Sequence, residues 1–309
     1  MKAVPREDRL SIPVLGRVLV LLFTIALLAA CEDGGRGAPV PETPATPSPS
    51  PTATLIAGQA VPLQDVDAIE QAVRGYFEAL DAKDFETAKL HSVGDVRAQA
   101  GWQGKVSDEA GPGGPRVAAA VVDSLEIVSV EGDTATVEIE GQVEESLFDP
   151  PSNETKLVAT DISGPVTVTR KDSAWLVDDY QRDGQSLKRQ VHMTRGRQSQ
   201  SGLLVGIVGL DVRKKGAVLV AELRNTSALE AVGQVARVIT GSGRELKTNF
   251  PNNFAEVVLA GRSKATVGFF FPKGAALKGS FRFQVDFFLG CDPECDATPH
   301  FDFSVAAAR

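Results

Sequence analysis

Apolar side chains in this chain follow two spacings, and the switch from one to the other divides it. Val66, Ile69, Val73, Phe77 and Leu80 recur every three or four residues, which places them on one stripe of a helix. Asp65 stands where an N-cap would, and the helix is expected to end near Ala82. Asp84 reads as the cap of a shorter helix carrying Phe85, Ala88 and Leu90. After the break Gly111-Pro112-Gly113-Gly114-Pro115 the pattern becomes alternating and rich in β-branched residues. Strands are expected at 117–130, 134–145, 156–170 and 174–180, with hairpin turns at Glu131-Gly132-Asp133 and Lys171-Asp172-Ser173. A helix that must bury its stripe, followed by long antiparallel strands, predicts an α+β domain over 63–185 in which the sheet wraps the helix.

Residues 203–309 read as all-β. Strands are expected at 204–213, 217–224, 234–240, 257–259, 265–271, 281–288 and 301–305, with turn signals at Lys214-Lys215-Gly216, Gly241-Ser242-Gly243 and Ala260-Gly261. In Phe281-Arg282-Phe283-Gln284-Val285-Asp286-Phe287 apolar and polar side chains alternate strictly, so one face is buried and the other wet. Eleven of the fifteen Phe fall between Phe250 and Phe303, enough for a compact aromatic core. About seven short strands with regular turns favour a sandwich.

Two resemblances refine this reading. Val73-Arg74-Gly75-Tyr76-Phe77-Glu78-Ala79-Leu80 followed by Asp84-Phe85, the strand around Gly132-Asp133-Thr134-Ala135-Thr136-Val137, and Trp175-Leu176-Val177-Asp178-Asp179-Tyr180 together resemble the nuclear-transport-factor-like, or ketosteroid-isomerase-like, cone fold. The second region, with Leu223-Arg224-Asn225-Thr226-Ser227 between strands and Leu259-Ala260-Gly261-Arg262-Ser263 before an aromatic strand, is similar to immunoglobulin-like domains of bacterial surface lipoproteins. The expected architecture is therefore an α+β cone-like domain, a long helix wrapped by antiparallel sheet, followed by an all-β immunoglobulin-like sandwich.

The front of the chain reads as an address. Lys2, Arg6, Arg9 and Arg17 precede an apolar run, 18–28, that is too short for a permanent span of about twenty residues but suits a signal peptide. Leu28-Ala29-Ala30-Cys31 resembles the bacterial lipoprotein signal, which implies cleavage after residue 30 and a diacylglycerol, with palmitate-type chains, on Cys31. An ordinary secretory signal or an N-terminal anchor helix are the alternatives. Between Ala38 and Thr54 lie six Pro, four Thr and two Ser, so residues 31–62 read as the lipidated cysteine and an extended stalk. Lipid anchorage at the extracytoplasmic face of the cell membrane follows, with an envelope protein or wall polymer as the expected partner.

Charge narrows the partner. The chain has 32 Lys+Arg against 40 Asp+Glu, a net charge of -8, which disfavours nucleic acid. One basic segment stands out: Arg182, Lys188, Arg189, Arg195 and Arg197 stand against one acid, Asp183, and 186–202 reads as a basic connector, either a solvated linker helix or a segment touching anionic lipid or wall phosphates.

Candidate chemistry is sparse. Cys291 and Cys295 enclose Asp292-Pro293-Glu294 and are expected to form a disulfide in an oxidising compartment. Zinc held by Cys291, Cys295 and His300 lacks a fourth ligand, and calcium held by Asp292, Glu294 and Asp296 lacks a flexible loop. His91, His192 and His300 fall in separate segments, and no hydrolase triad, phosphate loop or metal motif is present, so neither catalytic residues nor a metal or cofactor is expected. The cone resemblance implies one enzymatic alternative, an isomerase-like or small-molecule pocket lined by Tyr76, His91, Trp102 and Tyr180 with Asp81 or Asp179 as base. A shared fold does not carry a shared activity. The expected role is noncatalytic binding or assembly, with a homodimer through the open sheet as a candidate assembly.

Overall fold

The computed structural model describes residues 53–108, 116–149, 154–214, 216–248, 254–271, 277, 279–291 and 295–306. The expected signal peptide, Cys31 and the stalk as far as residue 52 lie outside them. Among the described residues no helix is long and apolar enough to cross a membrane.

Residues 53–62, expected to end the stalk, instead form a hairpin of β1 (Ala53–Ile56) and β2 (Gln59–Pro62). The proline run stops at Pro51, and the buried side chains of Ile56 and Val61 give these residues a place on the folded part. Helix α1 (Leu63–Asp81) runs for 19 residues and buries Ile69, Val73, Phe77 and Leu80 as its spacing requires, with Tyr76 beside them. It starts ahead of Asp65, which does not cap it. Asp65 instead pairs with Arg170, whose guanidinium lies 4.6 Å over the Trp175 ring. In α2 (Phe85–Leu90) the Asp84 carboxylate accepts from the Thr87 amide at 3.0 Å, the expected cap, but Leu90 is exposed and outside the core.

The sequence reading contained no third helix, yet α3 (Gly94–Asp108) is present. Its buried residues Val96, Gln99, Ala100, Trp102 and Val106 do not form one apolar stripe, because the helix is covered from several sides. Gly104 permits one of these approaches: a Cβ there would stand 2.9 Å from the Phe85 Cβ.

Five antiparallel strands complete this half: β3 (Arg116–Glu131), β4 (Thr134–Asp149), β5 (Glu154–Asp161), β6 (Gly164–Lys171) and β7 (Ala174–Asp179). Their order is β3-β4-β6-β7, with β5 beside the other part of β4. The single strand expected over 156–170 is thus two. Ile162 drops into the core, the Ser163 amide donates to Asp161, and Gly164 takes a φ of 125° that turns the chain. The β6–β7 hairpin turns through Asp172 and Ser173, both with positive φ, the geometry that matches strand twist.

A small hairpin, β8 (Gln181–Arg182) with β9 (Gln185–Ser186), and a 3-10 turn at Leu187–Arg189 lead to β10 (Val191–Gln200). The expected basic connector is therefore largely strand. The remaining strands are β11 (Leu203–Arg213), β12 (Gly216–Asn225), β13 (Ala231–Thr240), β14 (Glu245–Lys247), β15 (Phe254–Leu259), β16 (Lys264–Phe271), β17 (Ser280–Leu289) and β18 (His300–Ala306). One sheet runs β10-β11-β12-β16. The other runs β14-β13-β17-β18, with β15 also on β13. Phe269, Phe271, Phe283, Phe287, Phe301 and Phe303 fill the core that the two sheets share.

The two halves are joined through β12. Ala217, Leu219, Ala221 and Leu223 face the core between the sheets, whereas Val218 and Val220 belong to the core of the α+β half. A strand buried on both faces reads as a continuous apolar run, which Ala217-Val218-Leu219-Val220-Ala221 is.

Candidate functional site

Among the described residues a dense polar constellation lies at this junction; of its members the sequence points only to Tyr180, as a pocket candidate, and to Arg182, as part of the basic segment. Arg182 of β8, Asp211 and Arg213 of β11 and Glu145 of β4 form one buried network. The Arg182 guanidinium donates to both Asp211 oxygens, one at 3.1 Å, and its Nε donates to Gln190 Oε1 at 2.6 Å. Arg213 donates to Asp211 Oδ2 at 3.0 Å through Nε and also pairs with Glu145. Gln99 of α3 reaches Asp211 at 3.5 Å and accepts from the Tyr180 hydroxyl at 3.2 Å.

Two cations meet two anions, so the buried charge sums to zero. Burial alone pushes the Asp211 carboxyl up, but the flanking guanidiniums outweigh it and hold it well below the ordinary carboxylate range. Burial opposes the charge on Arg213 too, and its two carboxylate partners raise its pKa nevertheless. Asp211 and Arg213 are thereby held in their charged forms.

The pocket candidates are dispersed among different neighbours. Tyr76 and Tyr180 pack with Phe77, ring centroids 5.1 to 6.0 Å apart. Burial pushes the Tyr180 phenol up to about 12 and the Tyr76 phenol well above its usual value. The Tyr76 hydroxyl is buried with no hydrogen-bond partner. Trp102 lies instead against β11, where a Cβ on Gly209 would stand 2.0 Å from its ring. His91 ends α2 with its ring on the backbone of α1, 2.7 Å from where a Gly75 Cβ would be. Cavities of about 30 Å³ beside Trp102 and about 10 Å³ beside Tyr180 are far below the size of ligand pockets, whereas the larger space beside His91, about 660 Å³, is an open depression on the outer side of α1 and α2 lined by Glu70, Arg74, Glu78 and Asp84.

The candidate bases have structural partners. Asp81 accepts from the Ala120 amide at 2.9 Å, tying α1 to β3. Asp179 accepts from the Tyr180 and Lys188 amides at 3.0 and 3.2 Å and from the Ser186 hydroxyl. The carboxyl pushed up by partial burial is Asp95 of α3, and the charges around it are Lys188, His192, Asp178 and Asp179, not the pocket candidates.

Cys291 and Cys295 lie at disulfide distance, Sγ–Sγ 1.99 Å. His300, the third member of the zinc alternative, pairs with Asp286 through Nδ1. Among the described residues no group of three or more His, Cys, Asp or Glu is placed to hold a metal, and Asp292 and Glu294 lie outside those residues. In the expected basic segment, Arg182 is consumed by the buried network and Lys188 by Asp178, at 2.5 Å. Arg195 and Arg197 stay exposed on β10.

A missed signal for the junction did exist. Apolar residues run consecutively through β12 and through Phe269-Phe270-Phe271, where a sandwich strand with one wet face would alternate. No protein-family model matches this chain, and no curated protein matches it by sequence. What the structure shows is therefore architecture alone: antiparallel sheets with few helices, and an all-β second half.

Proposed function

We propose that the chain is an exported lipoprotein, anchored by an acylated Cys31 at the extracytoplasmic face of the membrane, with a noncatalytic binding or assembly role at the cell envelope. The leader and its Leu-Ala-Ala-Cys end support the anchor, because two or three acyl chains bury enough methylenes at about 0.8 kcal/mol each to hold a protein at a membrane. The head reads as a cone-like α+β unit followed by an immunoglobulin-like sandwich. A helix whose stripe is buried in one core with an antiparallel sheet supports the first. The split of strands between two sheets, with β11-β12-β16 in one and β13-β17-β18 in the other, supports the second.

One observation carries the noncatalytic reading: the interior of the α+β half is filled by Tyr76, Phe77 and Tyr180, the cavities beside Tyr180 and Trp102 measure about 10 and 30 Å³, and the larger space at His91 is an open depression outside that interior. A filled interior suits a rigid head that presents its surface to a partner. Homodimerisation through the open sheet has less support, since Glu126 and Glu138 stand directly opposite one another on β3 and β4.

Intact mass of the chain from the membrane fraction tests the anchor. A mature chain beginning at Cys31 with acyl mass added is expected, and Cys31→Ser is expected to remain unprocessed. A chain in the cytosol with residues 1–30 uncut would overturn the proposal. Pulldown from envelope extracts then tests the binding role, with enrichment of one envelope component expected.

A further inference from the structure

Helix α3 covers only part of the outer face of the β10-β11-β12-β16 sheet. Val218, Val220 and Phe270 pack into the α+β core. Beyond Lys105 of α3 the same face opens into a groove of about 270 Å³. Strand register builds it. One rung crosses Arg197, Gly206, Glu222 and Thr266, and the next crosses Leu204, Arg224 and Lys264. Side chains on a rung share a face, so Arg197, Arg224 and Lys264 converge with Lys105 around one opening.

The charge here is opposite to that of the molecule. Four cations and one carboxylate give the groove a local charge of +3, in a chain of net charge -8. Glu222 is already engaged by Lys105 at 3.0 Å. Among the described residues Arg197, Arg224 and Lys264 have no carboxylate partner. Arg224 and Lys264 are also direct cross-strand partners, and like charges at such positions destabilise a sheet. The groove thus combines unneutralised cations with a repulsive pair.

We propose that this groove binds a compact oxyanion bearing two or three negative charges on phosphate or carboxylate groups. The Arg197 and Arg224 guanidiniums supply planar donor forks for such groups, and Lys264 supplies a point charge. The ligand relieves the repulsion between Arg224 and Lys264. A volume slightly below that of ordinary ligand pockets admits a diphosphate or tricarboxylate and excludes a large cofactor. This assignment concerns the groove alone and stands whether or not Cys31 carries lipid. The same anionic chemistry is offered by a free solute and by a phospholipid headgroup.

Calorimetric titration of the purified full chain with sodium pyrophosphate, and separately with citrate, at constant ionic strength tests the proposal. Saturable binding at one site is expected. Arg224→Gln with Lys264→Gln is expected to weaken it by about tenfold or more, since both residues are exposed and lose only charged donors. Arg244→Gln, in the exposed turn before β14, is expected to leave affinity unchanged. Displacement of pyrophosphate by short-chain phosphatidylglycerol but not phosphatidylcholine would assign a headgroup, and lack of displacement a free solute. Absence of saturation with both anions, or equal affinity in the doubly substituted chain, would overturn the site.

Discussion

Arg182 carries a large single-residue consequence. Its side chain is 5% exposed and so is that of Asp211, so truncating either leaves the buried network with an unbalanced charge in a medium that does not solvate it. Arg182→Met is expected to cost about 3–5 kcal/mol in urea unfolding. Adding Asp211→Leu should recover a substantial part of that loss, because the stranded anion is removed and Arg213 keeps Glu145. Recovery is the informative outcome, since a residue that mattered only by its bulk would show none. The same geometry fixes a pH dependence. Asp211 is held well below the unfolded carboxylate value of about 3.9, so its stabilisation is fully present above that value and is lost as pH falls from there through the folded pKa. Thermal unfolding of the wild type should therefore steepen its decline below about pH 4, with a shallower decline in Asp211→Asn. Gly209 gives a second residue-scale expectation. Its missing Cβ is the space that the Trp102 ring uses, so Gly209→Ala should cost about 1–3 kcal/mol by overpacking and shift the Trp102 emission.

At the scale of elements, the strand β10 shows how an exposed-looking sequence acquires a structural task. It pairs with β11 along one edge, and along the other it meets β18 through side chains. Gln198 accepts from the Asp302 amide at 3.2 Å and donates back to its carbonyl at 2.5 Å, while Gln200 accepts from the His300 amide at 3.0 Å. Two glutamines thus occupy backbone groups on the free edge of β18, where another strand would otherwise add. Gln198→Ala is expected to cost about 1–3 kcal/mol and to produce concentration-dependent association, read by light scattering, whereas Gln198→Glu should restore only the acceptor half. Legibility followed the same physics. The stripe of α1, the Asp84 cap and the alternation in β17 were readable because each follows from one face meeting one core. The 191–200 segment was not, since its Arg195 and Arg197 face outward and its glutamines have their partners over a hundred residues away. Helix α3 was hidden for a related reason. Gly94, Gly101 and Gly104 weaken its local preference, and its buried side chains answer to α2, the first sheet and the sandwich together. Of the candidate site residues, Tyr76 and Tyr180 do come together, but Trp102 and His91 serve contacts that only the tertiary structure creates.

For the whole molecule, the question is whether a chain of two architectures behaves as two bodies. The described residues form a single compact unit, and two kinds of contact hold it. Val218 and Val220 are outward-facing sandwich residues buried in the α+β core, and the Arg182–Asp211 pair joins β8 to β11. If the halves parted, two valines and Trp102 would meet water, at about 1.5–3 kcal/mol for each fully buried aliphatic side chain. The charges would also exchange a matched partner for solvent. Separate unfolding of either half is therefore costly, and one cooperative transition is expected where linked domains ordinarily give two. The chromophores make this measurable. Both Trp and both Tyr lie before residue 181, so tryptophan fluorescence reports the α+β half and the junction, while far-ultraviolet circular dichroism also sees the sandwich. In urea the two signals should share one midpoint for the wild type. Trp102→Ala removes the largest junction side chain without touching the sandwich core, and should split them, with fluorescence from Trp175 lost at lower urea than the strand signal. Coincident midpoints in that variant would mean that the buried ions alone suffice to couple the halves, and the Arg182→Met chain would then be the one in which they separate.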